Sequence, residues 1–192
     1  FKQLKSKSKN KNELIFVDGG SDDGTKEFLL SRNDVLVVSS KKNRSIQMNK
    51  GASVANNKWL YFLHIDSVLP NNFDSILIKN LNNNELVKCF RLKFDNNNFF
   101  LYLASVGTKF NLPWCRGGDQ SILISKFFFM QIGGFNEKYS IAEDLVLFRK
   151  AYELGKVIVL TEQIITSSRK FIENGIIKTQ LHHIMIRLLV FL

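Results

Sequence analysis

Residues 59–70, with the sequence WLYFLHIDSVLP, constrain the fold of this chain more than any other stretch. Their apolar and aromatic run predicts a strand over 60–65 that is buried on both faces. His64 and Asp66 stand two residues apart at the end of this run, so in a strand their side chains share one face. Open α/β sheets bind ligands at the carboxyl ends of their strands. A carboxylate at that end indicates a site for a hard cation, which in turn suits a diphosphate.

The same two polar residues allow a purely structural interpretation. In it, Asp66 caps the turn that leads to Pro70, and His64 packs as an ordinary core residue. Replacing Asp66 by alanine distinguishes the two interpretations, because only a metal site predicts the loss of metal-dependent binding of a nucleoside diphosphate.

Length and composition indicate a single globular domain over residues 1–192. Of the 192 residues, 45% are hydrophobic and 12% are aromatic, which supports a substantial core and excludes disorder throughout. No apolar run approaches the ~18 residues of a membrane-spanning helix, and no signal peptide follows the lysine-rich start, so we expect a cytoplasmic protein. Cys89 and Cys115 are far apart and form no CxxC pair, which argues against a disulfide framework or a thiolate zinc site.

The formal net charge of +10 is concentrated at the two ends of the chain, and the part between them is nearly neutral. Basic ends on a neutral body favour an anionic substrate or an acidic membrane surface over a face that reads nucleic acid. The apolar and basic segment 176–192 predicts an amphipathic C-terminal helix that makes a peripheral contact with the inner face of the membrane or with a partner. We expect no nucleic-acid partner.

Strand and helix patterns alternate along the chain. The predicted strands are 13–17, 35–38, 60–65, 86–94, 121–125 and 156–160, and the predicted helices between them are 25–32, 44–55, 71–81, 99–110 and 143–155. This alternation predicts an α/β fold with one mostly parallel, Rossmann-type sheet that is covered by helices on both faces.

The first of these strands ends in the turn DGGSDDGT at residues 18–25. Glycines at a strand-to-helix turn let the backbone approach a ligand, and the free N–H groups of a helix start favour anions. Asp18 is placed to accept hydrogen bonds from a sugar or a base, whereas Asp23 has the alternative role of a helix N-cap. Arg44, at the start of the next helix, is suited to bidentate binding of a phosphate.

Candidates in the second half of the chain have structural explanations as well. Glu143 and Asp144 open a predicted helix, where two carboxylates also interact favourably with the helix dipole. The glycine pair in 133–135 predicts a tight turn. His182 and His183 are neighbours on the predicted C-terminal helix, about 100° apart around its axis, which argues against a zinc site there.

Six segments, taken together and in this order, resemble family 2 glycosyltransferases of the GT-A fold. They are Val17-Asp18-Gly19-Gly20-Ser21-x-Asp23-Gly24-Thr25, Arg44-x-x-Gln47-Met48-Asn49-x-Gly51-Ala52, Leu63-His64-x-Asp66-Ser67-x-Leu69-Pro70, Gly118-Asp119-Gln120, Gly133-Gly134-Phe135 and Glu143-Asp144. The resemblance is closest to the small bacterial branch that is associated with radical-SAM and selenium-related genes, in which the metal motif is also His-x-Asp. It covers nearly the whole chain.

The resemblance implies a donor site and a metal site. Asp18 resembles the aspartate that contacts the donor nucleoside, and Asp66 resembles the metal-binding aspartate of the DXD-type motif, with His64 in place of that motif's first aspartate. The implied cofactor is a divalent metal, Mn²⁺ or Mg²⁺. The implied donor-binding residues are Asp18, Gly19, Ser21, Asp23, Arg44 and Arg169, the last of which would meet the diphosphate.

The resemblance also implies an acceptor site and a reaction. Asp144 resembles the base that deprotonates the acceptor hydroxyl, and Glu143 is the alternative base. The implied acceptor-binding residues are Gly133, Gly134, Phe135 and Asp119. The implied reaction moves a hexose from a UDP- or GDP-sugar to a hydroxyl, and it inverts the anomeric centre because the base acts opposite to the metal-bound leaving group.

Two other functions are compatible with parts of the sequence. A nucleotide-binding protein of the same fold that has lost catalysis would bind donors without any turnover that depends on Asp144. A nucleic-acid-binding module would use the basic ends and bind with strong salt dependence, but the interleaved aromatic and basic residues typical of such modules are missing from the sequence.

Members of this family begin with a strand and an acidic turn that hold the nucleobase, and this chain starts inside what resembles the next helix. In a doubly wound sheet that first strand lies between the strands predicted at 13–17 and 60–65. We therefore expect that a first strand is missing, which would weaken both stability and donor binding. Its absence would leave unpaired backbone groups on the two flanking strands unless these pair with each other.

Overall fold

The structure is a computed structural model that describes residues 2–10, 12–81, 87–139, 141–155 and 157–191. Within these ranges the strands are β1 (Ile15–Asp18), β2 (Leu36–Ser39), β3 (Trp59–Phe62), β4 (Val87–Phe94), β5 (Ile122–Ser125) and β6 (Val157–Thr166). The helices are α1 (Lys2–Lys7), α2 (Thr25–Leu30), α3 (Arg44–Val54), α4 (Phe73–Lys79), α5 (Phe99–Gly107), α6 (Lys126–Gln131), α7 (Glu143–Leu154), α8 (Arg169–Asn174) and α9 (Ile176–Phe191).

The strands form two sheets. β1 and β2 pair in parallel, and a second sheet has the strand order β3-β5-β4-β6. In that larger sheet β4 and β6 are parallel, whereas β5 runs antiparallel to both of its neighbours. The α/β class is confirmed, but the pairing differs from the single mostly parallel sheet that we predict. Alternating strands and helices predict parallel pairing only where consecutive strands are neighbours, and β5 is inserted between β3 and β4.

Helices cover both faces of the larger sheet, because its strands direct alternate side chains into two cores. On β5, Ile122 and Ile124 belong to one core and Leu123 belongs to the other. The first core also contains Ala52 of α3, Phe128 of α6 and Phe148 of α7. The second core contains Phe73 of α4, Leu101 of α5 and Phe171 of α8. Burying each large side chain stabilises the fold by roughly 1.5–3 kcal/mol.

β1 and β3 each have one edge that no described strand occupies. The even-numbered residues of β1 bond to β2, so the backbone groups of Ile15 and Val17 point away from it. The carbonyl oxygen of Val17 accepts a hydrogen bond from Gln47 Nε2 at 2.9 Å instead. In β3 the even-numbered residues bond to β5, so Trp59 and Tyr61 direct their backbone groups toward the open edge.

The two open edges begin next to each other. The Glu13 carboxylate, just before β1, accepts hydrogen bonds from Asn56 N at 2.9 Å and from Asn57 Nδ2 at 3.2 Å, just before β3. β1 and β3 therefore start at the same end of the molecule, but they do not pair with each other.

β3 is shorter than predicted. It ends at Phe62 and not at residue 65, so His64 and Asp66 lie in a turn in which the Ser67 N–H donates to the His64 carbonyl at 3.2 Å. The alternation of a strand therefore does not apply to this pair, and the prediction that both side chains share one face for that reason is wrong. Ile65 between them is 87% exposed, which no buried strand would allow.

Other boundaries differ as well. β6 continues beyond residue 160 to Thr166, because its second half pairs with β4 after an irregularity in the register. The short helices α6 and α8 lie where we predict none. The predicted strand starts at Leu86 and Lys156 lie outside the described residues.

α9 is the longest of the described helices and is covered on one side only. Its outward face is apolar and consists of Ile177, Leu181, Ile184, Met185, Leu188 and Leu189. Its other face includes the half-buried side chains of His183 and Arg187. In the part of the chain that the structure covers, no helix has both the length and the apolarity that a membrane crossing needs.

Candidate active site

Gly118 marks the point where two of the predicted site residues meet. A Cβ atom on this glycine would stand 2.9 Å from Asp144 Oδ2 and 3.0 Å from His64 Nε2. Any side chain at position 118 would therefore displace one of them. Since both atoms lie within 3.0 Å of one point, the structure brings the predicted base and the predicted metal ligand to the same small region.

Asp144 is held in this position by backbone N–H groups. Its Oδ2 accepts a hydrogen bond from the Gly118 N–H, and its Oδ1 accepts one from the Leu145 N–H at 2.9 Å. It lies in the first turn of α7, where the helix dipole favours a negative charge. The preceding Ala142 has φ 64°, a left-handed conformation that costs a residue with a Cβ atom energy and that occurs preferentially near functional sites.

Glu143 is far less accessible than Asp144. Only 1% of Glu143 is exposed, and Arg44 Nη1 lies 3.4 Å from its Oε1. Burial raises the pKa of the Glu143 carboxyl, the neighbouring charge of Asp144 raises it further, and Arg44 acts in the opposite direction. Arg44 thus links the start of α3 to the start of α7, and its guanidinium remains half-exposed toward solvent.

His64 and Asp119 form a hydrogen-bonded pair, with His64 Nδ1 3.0 Å from Asp119 Oδ1. Asp119 lies in the 3₁₀ turn Gly118–Gln120, directly before β5. Burial acts to raise the pKa of the Asp119 carboxyl, but the hydrogen bond and charge of His64 and the charge of Arg44 hold that pKa below its ordinary value. The carboxylate is therefore ionised at neutral pH.

Asp66 is exposed to solvent, and the described residues contain no cluster of three or more His, Cys, Asp or Glu side chains that would hold a metal by themselves. A cation such as Mg²⁺ is often bound by one or two protein ligands and completes its coordination with substrate phosphates and water. The exposed carboxylate of Asp66 and the Nε2 atom of His64, two residues apart in the chain, are donor types that such a shared cation accepts.

The turn after β1 is stabilised by hydrogen bonds to the side chain of Asp18, the last residue of that strand. Asp18 accepts hydrogen bonds from the Gly20 and Ser21 N–H groups, each at 3.0 Å, and these bonds, those of Ser21 first, lower the pKa of the Asp18 carboxyl. Gly19 packs so closely on α3 that a Cβ atom there would be 2.9 Å from Gln47 Nε2. Asp23 accepts a hydrogen bond from the Thr25 N–H at 3.1 Å, but the N-cap of α2 is Gly24, so the alternative role of Asp23 as the helix N-cap is wrong.

The turn at 133–135 is fixed by Asn49 of α3. Asn49 Oδ1 accepts from the Phe135 N–H at 3.0 Å, and Asn49 Nδ2 donates to the Phe135 carbonyl at 2.9 Å. Gly133 and Gly134 have φ 81° and 63°, so both positions require glycine. The Phe135 ring is buried against Phe62 with a centroid distance of 5.0 Å, so only the backbone of this residue is available to an acceptor.

Arg169 is not brought to these residues. It begins α8, its side chain is 72% exposed, and its described ion pair is with Glu173 at 4.0 Å, one turn along the same helix. Its contact with a diphosphate therefore stays a prediction.

Two basic residues of α9 lie near the carboxylates and were not among the predicted site residues. Burial lowers the pKa of both His183 and Arg187, while the charges of Asp119 and Asp144 act to raise them. α9 is fixed beside the site because Arg149 of α7 donates to the Val190 carbonyl at 2.5 Å. The four-residue spacing of His183 and Arg187 places them on one helix face, which is the signal in the sequence that would have identified them.

Arg116 is a third residue that was not among the predicted site residues. It is fully buried, and its guanidinium donates to the carbonyl oxygens of Thr108, at 2.9 Å, and of Phe110. These carbonyls follow α5, so Arg116 satisfies the end of that helix and anchors the loop that leads to Gly118. No sequence pattern distinguishes such an arginine from one that binds a ligand.

Several solved structures have a similar fold. The chain superposes on S. aureus TarS 1-349 in complex with UDP with a TM-score of 0.67 and 16% identity over 86% of this chain and 54% of that one. On the mannosyltransferase PcManGT from Pyrobaculum calidifontis, in complex with GDP-Man and Mn²⁺, it superposes with a TM-score of 0.59 and 15% identity over 80% of this chain and 47% of that one. On GalNAc-T7 with UDP, GalNAc and Mn²⁺ it superposes with a TM-score of 0.60 and 12% identity over 81% of this chain and 37% of that one. The chain thus spans about half the length of TarS 1-349 and of PcManGT, and a smaller share of GalNAc-T7.

No curated protein sequence matches the chain. The family model described as Glycosyl transferase family 2 matches residues 1–145, which is most of the chain and includes every segment that carries the resemblance. The match agrees with the α/β fold. The chain therefore belongs to glycosyl transferase family 2, and its fold is the GT-A fold of the structures on which it superposes.

Proposed function

We propose that this chain transfers a hexose from a nucleoside diphosphate sugar to an acceptor hydroxyl in a metal-dependent, inverting reaction. The observation that carries the proposal is the convergence of Asp144 Oδ2 and His64 Nε2 on Gly118. A base and a metal ligand in one small region suit a displacement in which the acceptor is deprotonated while the diphosphate leaves. Relatives of the same fold contain UDP, or GDP-Man with Mn²⁺, which supports a nucleotide sugar as the donor.

The donor would lie across the ends of β1 and β3. Asp18, with the turn residues Gly19, Ser21 and Asp23, would hold the nucleoside, and Arg44 would approach the phosphates. Asp66 and His64 would hold Mn²⁺ or Mg²⁺. When bound, this cation supplies a Lewis acid that stabilises the negative charge of the leaving diphosphate.

Asp144 would be the base. It is only half-buried, and two backbone N–H groups fix its orientation, whereas Glu143 is buried behind it and in contact with Arg44. An accessible, oriented carboxylate near the metal residues meets the geometric requirement for a general base. The backbone of the turn at 133–135 would shape the acceptor site, and the sequence adds Asp119 to the residues assigned to it.

The test is a screen of UDP- and GDP-hexoses with Mn²⁺ and with Mg²⁺. Binding is read by thermal shift, and turnover is read by nucleoside diphosphate release. The anomeric configuration of the product, determined by NMR at early times, decides whether the reaction inverts. A chain that binds none of these donors, or that releases a product with retained configuration, contradicts the proposal.

We also propose that the apolar outward face of α9 makes a peripheral contact with an anionic membrane surface. Six exposed apolar side chains lie on that face, and Lys178 and His182 lie beside them. Apolar area and adjacent positive charge together favour binding at a lipid interface.

Two finer assignments follow from the motifs. The His-x-Asp sequence at 64–66 supports membership of the branch associated with radical-SAM and selenium-related genes. The open edges of β1 and β3 start side by side, so one strand between them would be placed to pair with both sheets.

A further inference from the structure

The His64 ring is held in one orientation by Asp119. An ionised carboxylate only accepts hydrogen bonds, so the 3.0 Å contact between His64 Nδ1 and Asp119 Oδ1 assigns the ring proton to Nδ1. In the neutral imidazole, which is the form that binds a metal ion, the lone pair is then on Nε2. That atom faces the space beside Gly118 where the Asp144 carboxylate also lies.

The loop that carries Asp119 is itself firmly anchored. On one side, Arg116 is fully buried and bonded to the carbonyl groups that follow α5. On the other side, Gln120 is 1% exposed, and its Nε2 donates to the Phe90 carbonyl of β4 at 3.0 Å. Asp119 therefore presents its carboxylate from a fixed position, which is what orienting a neighbouring ring requires.

We propose that Asp119 is a positioning residue for the divalent cation: it fixes the tautomer and the direction of His64, so that Nε2 serves as a nitrogen ligand beside Asp66. The inference rests on the proposed metal-dependent function. Metal-binding histidines commonly donate their second ring N–H to a carboxylate, which orients the ring and increases its basicity. The assignment differs from the acceptor-binding role that the sequence suggests for Asp119.

The nitrogen ligand has a consequence for metal choice. Imidazole is a better ligand for transition metals, whereas carboxylate and water suit Mg²⁺. With His64 in place of a carboxylate, and with Asp119 increasing its basicity, the site should favour Mn²⁺ over Mg²⁺. Replacing His64 by aspartate should reduce that preference, because it exchanges the nitrogen ligand for a carboxylate.

The experiment measures the binding of Mn²⁺ alone to the full chain, by electron paramagnetic resonance of the free ion, and of Mg²⁺ by competition. We expect Asp119→Asn to weaken Mn²⁺ binding about 10–100-fold, as is typical when a second-sphere partner is removed. In a chain that already carries His64→Gln, Asp119→Asn should not weaken Mn²⁺ binding further, because Asp119 then has no histidine to orient. Asp34→Asn, an exposed aspartate paired with Arg32 at 3.2 Å, is the matched control and should bind Mn²⁺ as the parent does.

Three results overturn the inference. They are a parent that binds no Mn²⁺, an Asp119→Asn variant with unchanged affinity, and a loss that is equally large with and without His64. A thermal unfolding curve for each variant identifies any that fails to fold, and Asp119→Glu then serves as the second variant, expected to retain part of the affinity. Because binding is read without any sugar transfer, the inference can fail while the transferase activity stands, and it can stand where no activity is found.

Discussion

Asp144 and Glu143 illustrate how far a residue's environment decides its role. Both are carboxylates in the first turn of α7, and the sequence cannot separate them because that position favours a negative charge at either residue. The fold separates them by burying Glu143 against Arg44 and by turning Asp144 toward Gly118. Because Glu143 is almost fully buried and in contact with Arg44, it is less accessible to an acceptor hydroxyl than the half-buried Asp144.

Asp144→Asn should keep donor binding and lose transfer, because an amide has the same shape but cannot accept a proton. We expect a loss of about 10²-fold or more in kcat. Glu143→Gln is the matched control, and we expect it to have a smaller effect on kcat and a larger effect on thermal stability, since it removes a buried contact with Arg44. Steady-state kinetics with donor-binding titrations check both, and unchanged turnover in Asp144→Asn would move the role of base to Glu143.

Asp66→Ala should remove metal-dependent binding of a nucleoside diphosphate while leaving the protein folded. The side chain is exposed in a turn, so its removal disturbs no packing. Calorimetric titration with UDP and GDP, with and without Mn²⁺, measures the effect. If the variant binds nucleotide and Mn²⁺ as the parent does, then Asp66 is only a turn residue, which is the alternative that the sequence left open.

At the scale of elements, the segment after α1 is fixed to α4 by a single carboxylate. Asp74 Oδ2 accepts hydrogen bonds from Ser8 Oγ at 2.8 Å and from the Lys9 and Asn10 N–H groups, each at 2.6 Å. Burial acts to raise the pKa of Asp74, but these bonds lower it from 3.8 to about 2. The ionised form therefore stabilises the folded state.

The pH dependence of this contribution has a defined sign. Because the folded-state pKa lies below the ordinary value of 3.8, the stabilisation is complete above that value and is lost as the pH falls toward about 2. Asp74→Asn should reduce stability at neutral pH by about 2 kcal/mol, as expected for hydrogen bonds to a charged group. Its stability should also fall less than that of the parent over this acidic window. Denaturant unfolding at several pH values measures both, and parallel curves for the two proteins would contradict the assignment.

The outward face of α9 should bind anionic lipid. Leu181→Gln combined with Leu189→Gln removes two side chains that are 62% and 72% exposed, so folding should be unaffected while flotation with anionic liposomes is reduced severalfold. Leu154→Gln is the matched control, because Leu154 is 61% exposed but lies on α7. Equal flotation of the parent and of the double variant would exclude a membrane contact through this face.

At the scale of the whole molecule, local patterns in the sequence predicted most of the elements but not how the strands pair. The predicted starts of α3 and α7, at residues 44 and 143, agree with the structure. The end of β3 was misplaced, because an apolar run does not reveal that Ile65 turns outward. The contact of His64 with Asp119 joins residues 55 positions apart, and no local signal encodes such a pairing.

The two sheets are separate, and one further strand between them would join them. Ile15 and Val17 of β1 and Trp59 and Tyr61 of β3 direct backbone groups to edges that no described strand occupies. A strand placed between them would bond to both edges and join the sheets. Each backbone hydrogen bond gained contributes about 0.5–1.5 kcal/mol net, and the loop after such a strand would lie at the same end as Asp18 and His64.

We therefore expect a version of the chain that is extended at its N-terminus by a strand and a connecting turn to melt at a higher temperature. It should also bind the preferred nucleotide sugar with Mn²⁺ at least tenfold more tightly. An extension of equal length with proline at alternate strand positions is the control, because proline cannot donate the hydrogen bonds that pairing needs. Thermal unfolding and calorimetric titration of the parent and both extended chains provide the measurements. Equal affinities for all three would mean that the open edges of β1 and β3 have no part in the donor site, whereas a gain in both extended chains would assign the effect to added length and not to strand pairing.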